Sequence, residues 1–255
     1  MNRIHVAIAA AFAVFAAPIV GAVENATPPL EGETLYRVTT VRAAPGKLED
    51  LINWTRAMLE SDFYKDAGVE APMIMRHSQG DQWDLMKVTP MGSWEDYYAR
   101  RASRKRAAAE ETHAEKIRSA NALVAFAEDH FAYGPPVEDV RRAYDATGFY
   151  HIEMFEAAPG KAAALMEQRR MENAYLTATG QTANMIFRRA AGSDVDVFTI
   201  GFHADLQAFA APSPATAEEP EAAAKAAGFK DRADISFFLR SLITGHHDTL
   251  AVKAN

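Results

Sequence analysis

The pentapeptide Ala-Ala-Pro-Gly-Lys occurs twice in this chain, beginning at Ala43 and again at Ala157. The two prolines, Pro45 and Pro159, are 159 − 45 = 114 residues apart. That distance is too large for a local motif and is close to the length of a small domain. A chain of 255 residues has room for two such units. The repeat therefore predicts that the chain contains two copies of one domain.

The residues around each copy of the pentapeptide follow the same pattern. Residues 33–43 and 148–158 are rich in β-branched and aromatic side chains and stop at the Pro-Gly turn, which is typical of strands. The residues after each turn carry apolar side chains at helical spacing. Both copies thus predict a strand, a tight turn and a helix.

The second part of each copy also matches, because Arg76 and Arg188 follow the same pattern of apolar residues. Each of these stretches predicts a hairpin around a glycine-containing turn. In copy one a single long helix is predicted over residues 93–126, followed by a short strand. Copy two is interrupted by a Pro- and Ala-rich insertion at residues 211–221 before its last helix and strand.

The resulting order, strand-helix-strand-strand-helix-strand (βαββαβ), is the plan of the ferredoxin-like fold, whose sheet carries helices on one face only. We expect an α+β protein in which two tandem repeats pack sheet to sheet as an intramolecular α/β barrel. Each repeat would then bury the sheet face that the other leaves bare. The predicted boundaries are a first repeat at residues 33–134, a linker at 135–147 and a second repeat at 148–255.

The N-terminus has the pattern of a secretory signal peptide over residues 1–22, with Arg3 before an apolar run that ends in small residues. Residues 23–32 are then an N-terminal linker, and a periplasmic or secreted location is expected. No later stretch is long and apolar enough to predict a membrane span. The chain has no cysteine, so thiol chemistry is excluded, and its formal net charge of −7 disfavours nucleic acid as a partner.

The doubled turn and the repeated topology resemble the dimeric α/β-barrel superfamily, in a fused form where one chain supplies both halves. Within it the pattern is most similar to the NIPSNAP-like and antibiotic-biosynthesis-monooxygenase-like groups. The resemblance implies a monomer with pseudo-dimeric halves, with further oligomerisation left open, that binds a small apolar, aromatic or haem-like molecule. Its relatives include cofactor-free monooxygenases, haem-degrading enzymes and isomerases, so the fold does not select one function.

The predicted strand over residues 148–158 offers candidate catalytic residues. His151 and Glu153 alternate with the more apolar Tyr150, Ile152 and Met154, which we assign to the helix-covered core. His151 and Glu153 would then face the space between the two sheets and form an acid/base pair. The alternative is a polar sheet interface in which the two groups only satisfy each other.

Several arginines are candidates for binding an anionic part of a ligand. Arg37 occupies the first-copy position that corresponds to His151, and Arg76 and Arg188 recur at matching positions. A guanidinium can bind a carboxylate through two hydrogen bonds. A structural bridge between the halves is the competing interpretation for Arg76 and Arg188.

Histidines near the last strand of each copy are candidate ligands. His246, His247 and Asp248 are adjacent, but without a third ligand fixed by the sequence a polar cluster is favoured over a metal site, and no metal is predicted. No motif requires a cofactor. If haem is the ligand, His130, His151 or His247 could supply the axial nitrogen.

Two functional hypotheses follow, and the sequence does not decide whether the protein is an enzyme. The first is an exported cofactor-independent monooxygenase or isomerase acting on an apolar or aromatic molecule. The second is a non-catalytic carrier or sensor of such a ligand or of haem. A structural protein with a closed interface between its halves is a third, simpler possibility.

Overall fold

The computed structural model describes residues 29–216 and 218–254. The predicted signal peptide, residues 1–22, lies outside the described residues, as does most of the predicted linker at 23–32. We call residues 33–134 half one and residues 148–254 half two. Within the described ranges, no helix is long and apolar enough to cross a membrane.

Half one contains four strands, as predicted, but its predicted long helix is wrong. Its elements are β1 Thr34–Ala43, α1 Leu48–Leu59, α2 Phe63–Ala67, β2 Met73–Gln79, β3 Leu85–Gly92, α3 Trp94–Arg101, α4 Arg104–Thr112, α5 Ala114–Ser119 and β4 Val124–Gly134. The stretch predicted as one helix is broken at Ser103, whose backbone is extended (φ −69°, ψ 130°), and again at His113. The spacing of apolar residues alone does not reveal such breaks, because a single non-helical residue between two helices need not disturb that spacing.

Half two repeats the strand plan. A helix also forms in the segment between the halves, residues 135–147, which the sequence marked only as a linker. These elements are α6 Val137–Ala146, β5 Phe149–Ala157, α7 Ala162–Ala178, β6 Met185–Ala191, β7 Val197–His203, α8 Leu206–Phe209, α9 Glu219–Ala226, α10 Asp234–Arg240 and β8 Ile243–Lys253. Both predicted hairpins, β2 with β3 and β6 with β7, are confirmed.

The two copies of the pentapeptide have the same conformation. Gly46 and Gly160 both have positive φ angles, 74° and 75°, in the left-handed region that glycine adopts without steric cost. Each glycine ends the turn after a strand, and a helix begins two residues later, at Leu48 and Ala162. The repeated motif is therefore a strand-to-helix turn that needs glycine at one position.

The eight strands form one closed barrel in the order β1-β3-β2-β8-β5-β7-β6-β4, with β4 pairing back to β1. Each half contributes the ferredoxin-like order of four strands. The halves are joined at two seams, β2 with β8 and β4 with β6, and all pairs are antiparallel. Closing the barrel pairs the strand edges that an isolated repeat would expose, and the predicted α+β fold with two ferredoxin-like repeats is confirmed.

The inside of the barrel is the most apolar surface of the sheet. Phe187 and Phe198 stack with ring centroids 4.6 Å apart, and Tyr36 meets Phe187 edge-on at 5.5 Å. Side chains from strands of both halves fill the lumen, including Tyr36, Val38, Met73, Met75, Met86, Val88, Tyr150, Ile152, Met154, Phe187, Phe198 and Ile200.

The faces of β5 are therefore opposite to those predicted from the sequence. Tyr150, Ile152 and Met154 belong to the lumen cluster. Phe155, on the other face, packs with Leu165 of the helix layer, and His151 and Glu153 share this helix-covered side. Strands enclose the lumen on all sides, so the apolar side chains of β5 lie there. The helices cover the outer face incompletely and leave room for polar groups.

Candidate functional site

A cleft of about 370 Å³ lies between the sheet and the helices of half two. Strand β5 supplies His151 and Glu153, helix α7 supplies Glu172, and the end of β7 supplies His203. The other lining residues are mostly small or apolar: Leu176, Gly180, Gln181, Thr182, Asn184, Ala208, Phe209, Ala211, Pro212 and Pro214. We call this space the half-two cleft.

His151 is held by Asp248 from the neighbouring strand. Its Nε2 lies 2.7 Å from Asp248 Oδ1, a hydrogen bond that bridges β5 and β8. Burial alone would lower the pKa of His151, but the bond to Asp248 and the negative charges of Glu153, Asp248 and Glu172 outweigh it, and the pKa is raised from 6.5. The bond occupies Nε2 and orients the ring, so Nδ1 is the nitrogen left for a substrate.

Glu153 is paired with Arg169 and not with His151. Arg169 Nη1 lies 3.4 Å from Glu153 Oε2, and the Thr199 hydroxyl donates to the same oxygen at 3.2 Å. Burial would raise the pKa of Glu153, but His246, Arg169 and His151 outweigh it, and the pKa is lowered. Glu153 is therefore an ionised carboxylate, and the predicted His151–Glu153 pair becomes a His151–Asp248 pair with Glu153 beside it.

Arg169 is the centre of a buried charge network. Its side chain is only 1% exposed and donates to Glu172, to Glu153 and, at 2.7 Å, to Gln168. Its guanidinium also lies over the ring of Phe155, 4.5 Å from the centroid. One cation is thus shared by two acidic side chains where helix α7 meets the sheet.

Two further titratable groups line the half-two cleft. Burial raises the pKa of Glu172, although Arg169 opposes the shift. Burial lowers the pKa of His203, and the charge of His151 lowers it further. The ring of Phe209 lies 5.1 Å from that of His151 and 5.2 Å from that of His203. Groups whose pKa values are moved apart at one place are typical of acid/base sites.

The structure brings together three potential metal ligands that differ from the set considered from the sequence, with only Asp248 in common. Single ligand atoms of His151, Glu153 and Asp248 lie within 4.8 Å of one another, an arrangement that could hold a divalent cation. However, Arg169 already pairs with Glu153. A guanidinium beside the ligand set repels a dication, so the cluster fits a proton better than a metal ion.

His130 and His247 lie away from the half-two cleft, at one mouth of the barrel. Both line a separate cavity of about 370 Å³ with Trp83, Phe126 and Met154 among its walls. His130 is 3% exposed, and burial lowers its pKa to about 4. His247 Nδ1 lies 3.5 Å from Asp81 Oδ1. The three histidines that the sequence offered as alternative axial ligands of haem therefore lie at two places, His151 in the half-two cleft and the other two in this cavity.

The three arginines predicted to bind an anion do not converge on His151. Arg37 lines a cleft in half one. Arg188 pairs with Glu33 and lies over the ring of Tyr133, 4.4 Å from its centroid, which makes it a structural contact near the β4–β6 seam. Arg76 lies on β2 and lines neither cleft. The three alternatives therefore lie at different places, because barrel closure separates the helix-covered faces of the two halves, and anion binding by any of them stays a prediction.

Sequence reasoning missed Arg169, Glu172 and His203 as site residues. A signal was present for the first two: Leu165, Arg169, Glu172 and Leu176 follow one another at helical spacing. Two opposite charges within the apolar stripe of a helix indicate a buried ion pair or a site. His203 gave no such signal, since it comes at the end of a strand next to a loop.

No family model matches the chain, and none of the curated proteins matches it. Among solved structures it is similar to an anthrone oxidase-like protein, at 13% identity and a TM-score of 0.55, covering 88% of this chain and 92% of that one. It is also similar to a protein from Lactobacillus acidophilus provisionally described as a monooxygenase, at 8% identity and a TM-score of 0.50, covering 88% and 95%.

At such identities the similarity establishes the fold and leaves the chemistry to the site. The closed barrel, its two seams and the order of strands in each half are features of this structure itself. The chain has an α+β fold of two ferredoxin-like repeats closed into one eight-stranded barrel, with both halves supplied by one polypeptide.

Proposed function

We propose that the half-two cleft is the active site of a cofactor-independent monooxygenase that oxidises an activated methylene group on an aromatic substrate. The observation that carries the proposal is the hydrogen bond between His151 and Asp248 at 2.7 Å, inside a cleft with apolar walls. A histidine oriented by a carboxylate is a competent general base. The names of the similar structures, anthrone oxidase-like and monooxygenase, support the same class of reaction.

The reaction begins with proton transfer. Nδ1 of His151 removes a proton from the methylene carbon, and the carbanion is stabilised by the aromatic system of the substrate. The carbanion supplies the electrons that reduce molecular oxygen, and a carbon–oxygen bond forms to give a hydroperoxide. Loss of the second C–H proton forms the carbonyl group and expels hydroxide, which leaves as water. The balance is R₂CH₂ + O₂ → R₂C=O + H₂O.

Other residues of the cleft fit the later steps. Because burial lowers its pKa, His203 is neutral and can donate a hydrogen bond to a developing oxyanion. Because its pKa is raised, Glu172 can hold a proton for the departing oxygen. Phe209 and Leu176 offer apolar contacts for the substrate rings. Isomerisation would share the first step, with the proton returned to another carbon.

Haem fits the half-two cleft poorly. Its propionates are anionic, and the described lining residues include the carboxylates of Glu153 and Glu172 but neither lysine nor arginine. Nε2 of His151 is already bonded to Asp248. The cleft therefore favours an uncharged aromatic molecule over a dianionic porphyrin.

Oxygen uptake with anthrone as the probe tests the proposed function. We expect one O₂ consumed per anthrone, a ketone product, and unchanged activity after dialysis against EDTA. Activity that is lost on chelation and restored by a metal ion would contradict the role of His151 as a base. Turnover of an enolisable probe that proceeds equally without oxygen would indicate an isomerase instead.

The pH dependence tests the pairing of His151 with Asp248. A general base must be neutral, so kcat should rise with pH through the pKa of His151, which is raised above 6.5. Asp248→Asn keeps a hydrogen-bond acceptor but removes the charge. We expect the rising limb to move to lower pH, because the charge that raises the pKa of His151 is gone, and the plateau to be lower, because the weaker base accepts the proton less well. An unmoved limb would show that another group titrates.

Two finer points rest on the sequence alone. We propose export to the periplasm or the medium from the pattern of residues 1–22. A specific relation to the NIPSNAP-like group stays a prediction.

A further inference from the structure

The two halves place different side chains at the same positions of the repeated fold. In half two, Glu153 pairs with Thr199 on one side and Asp248 on the other. In half one, Thr39 occupies the position of Glu153 and pairs with Lys87 and Asp129. Arg37 likewise stands where half two has His151. Lys87 and Arg37 thus replace a threonine and a histidine, so the first copy of the cleft is more basic than the second.

The basic residues surround a real space. A cleft of about 260 Å³ lies between the sheet and the helices of half one, and we call it the half-one cleft. Arg37, Lys87, Arg100 and Arg106 line it, together with the acidic Glu70 and Asp129. Glu70 pairs with Arg141 at 3.7 Å, and Asp129 accepts a hydrogen bond from Thr39. Glu70 therefore has a cation of its own, whereas Asp129 has a neutral partner and is an acidic charge that acts on Lys87.

Three of the four cations have no carboxylate partner within the described part of the chain. Arg106 pairs with Glu110 at 2.7 Å, but no ion pair joins Arg37, Lys87 or Arg100 to an acidic side chain. The Nε of Arg37 is buried and has no hydrogen-bond partner. Burial and the charge of Arg37 lower the pKa of Lys87 to about 8, although the charge of Asp129 opposes the shift, and the Lys87 ammonium lies over the ring of Trp54 at 5.3 Å. A buried donor without a partner, such as Arg37 Nε, is costly, and an anion beside Arg37 and Lys87 would satisfy it.

The rest of the half-one cleft is apolar and aromatic. Phe63, Tyr64, Met91 and Tyr97 line it, with the smaller Ala67, Val69 and Pro72. The pKa of Tyr64 is raised by burial, so its hydroxyl stays protonated and can donate a hydrogen bond. A volume slightly below the usual range for pockets that bind drug-sized ligands suits a molecule of one or two rings.

We propose that the half-one cleft is a second ligand site, which binds a small aromatic carboxylate with its anionic group between Arg37 and Lys87 and its rings against Phe63, Tyr64 and Met91. The two copies of the fold then serve different purposes: an acid/base cleft in half two and an anion-binding cleft in half one. The proposal does not depend on the proposed function, because its site shares no residue with the half-two cleft.

Calorimetric titration of the full chain with 2-naphthoate tests this site, with 2-naphthamide as the neutral analogue. We expect one binding site, and at least tenfold weaker binding of the amide. Arg37→Gln and Lys87→Gln should each weaken naphthoate binding by about tenfold or more, since each removes a charged donor. Arg118→Gln, an exposed arginine outside both clefts, should leave the affinity unchanged. In the wild-type protein the Arg37 Nε–H resonance should shift on titration, a readout that requires no variant.

Several results would overturn the proposal. Equal affinity for the acid and the amide would show that charge is not recognised. Displacement by inorganic phosphate at equal concentration would show that the aromatic walls are not used. Binding that survives Arg37→Gln and Lys87→Gln with no shift of the Arg37 resonance, or that is lost in His151→Ala instead, would place the ligand elsewhere.

Discussion

Replacing His151 by alanine should lower kcat for oxidation of an activated aromatic methylene by about 10²- to 10⁴-fold, the usual contribution of a positioned general base. Substrate affinity should change little, because the apolar walls of the half-two cleft remain. The physical reason is the fixed position of the ring, which Asp248 holds at 2.7 Å through Nε2. Steady-state oxygen uptake and calorimetric binding on the same preparation measure the two quantities separately.

His77→Asn is a suitable control for this variant. His77 lies on β2, where its Nε2 accepts a hydrogen bond from the backbone of Asp81, and it does not line the half-two cleft. Its turnover should be that of the wild type. If His151→Ala retained full kcat, His151 would not be the base. If it lost binding along with turnover, His151 would act as a ligand, as the carrier hypothesis requires.

The second large effect is expected on stability. Arg169→Met should lower the free energy of unfolding by about 3–5 kcal/mol, because it leaves the buried Glu153 carboxylate without its cation and also removes the partner of Glu172. Methionine keeps most of the volume of the side chain, so packing changes little. Chemical denaturation at neutral pH, followed by circular dichroism, measures the difference.

The neighbouring residue provides a matched control. Arg170 belongs to the same helix and also has two carboxylate partners, Glu31 and Glu167, but its side chain is 48% exposed. Arg170→Met should cost only about 0–1 kcal/mol, because solvent screens an exposed pair. Adding Glu153→Gln to Arg169→Met should recover part of the loss. Equal effects of the two arginine variants would show that burial of the network is not what makes it strong.

Much of the fold could be predicted because its signals are local. The strand before each Pro-Gly turn, the turn itself and the helix after it all lie within a short window, and Gly46 and Gly160 need the same backbone angles. Because the sequence is repeated, the elements predicted for the first half were also expected in the second. The prediction of one long helix in half one was wrong because the helix is broken at a single extended residue, Ser103. The spacing of apolar residues does not indicate such a break.

The candidate site was predicted only in part. His151 was singled out as a candidate, but it was expected between the two sheets and paired with Glu153, two residues along the same strand. The actual partner, Asp248, is 97 residues away and reaches His151 across the β5–β8 pairing. Arg169 and Glu172 come from a helix that packs on that strand. Contacts of this kind depend on strand pairing and helix docking, which have no local signature.

The amino-acid sequence by itself determined that one α+β unit is repeated, where its strands and tight turns lie, and which residue types could carry chemistry, because these follow from spacing and turn geometry along the chain. Only the tertiary structure decided which face of β5 lies in the lumen, that His151 meets Asp248, and that Arg37 belongs to a different cleft. Closing eight strands into one barrel makes the lumen the driest surface, so it takes the apolar side chains and leaves the polar ones under the helices of each half.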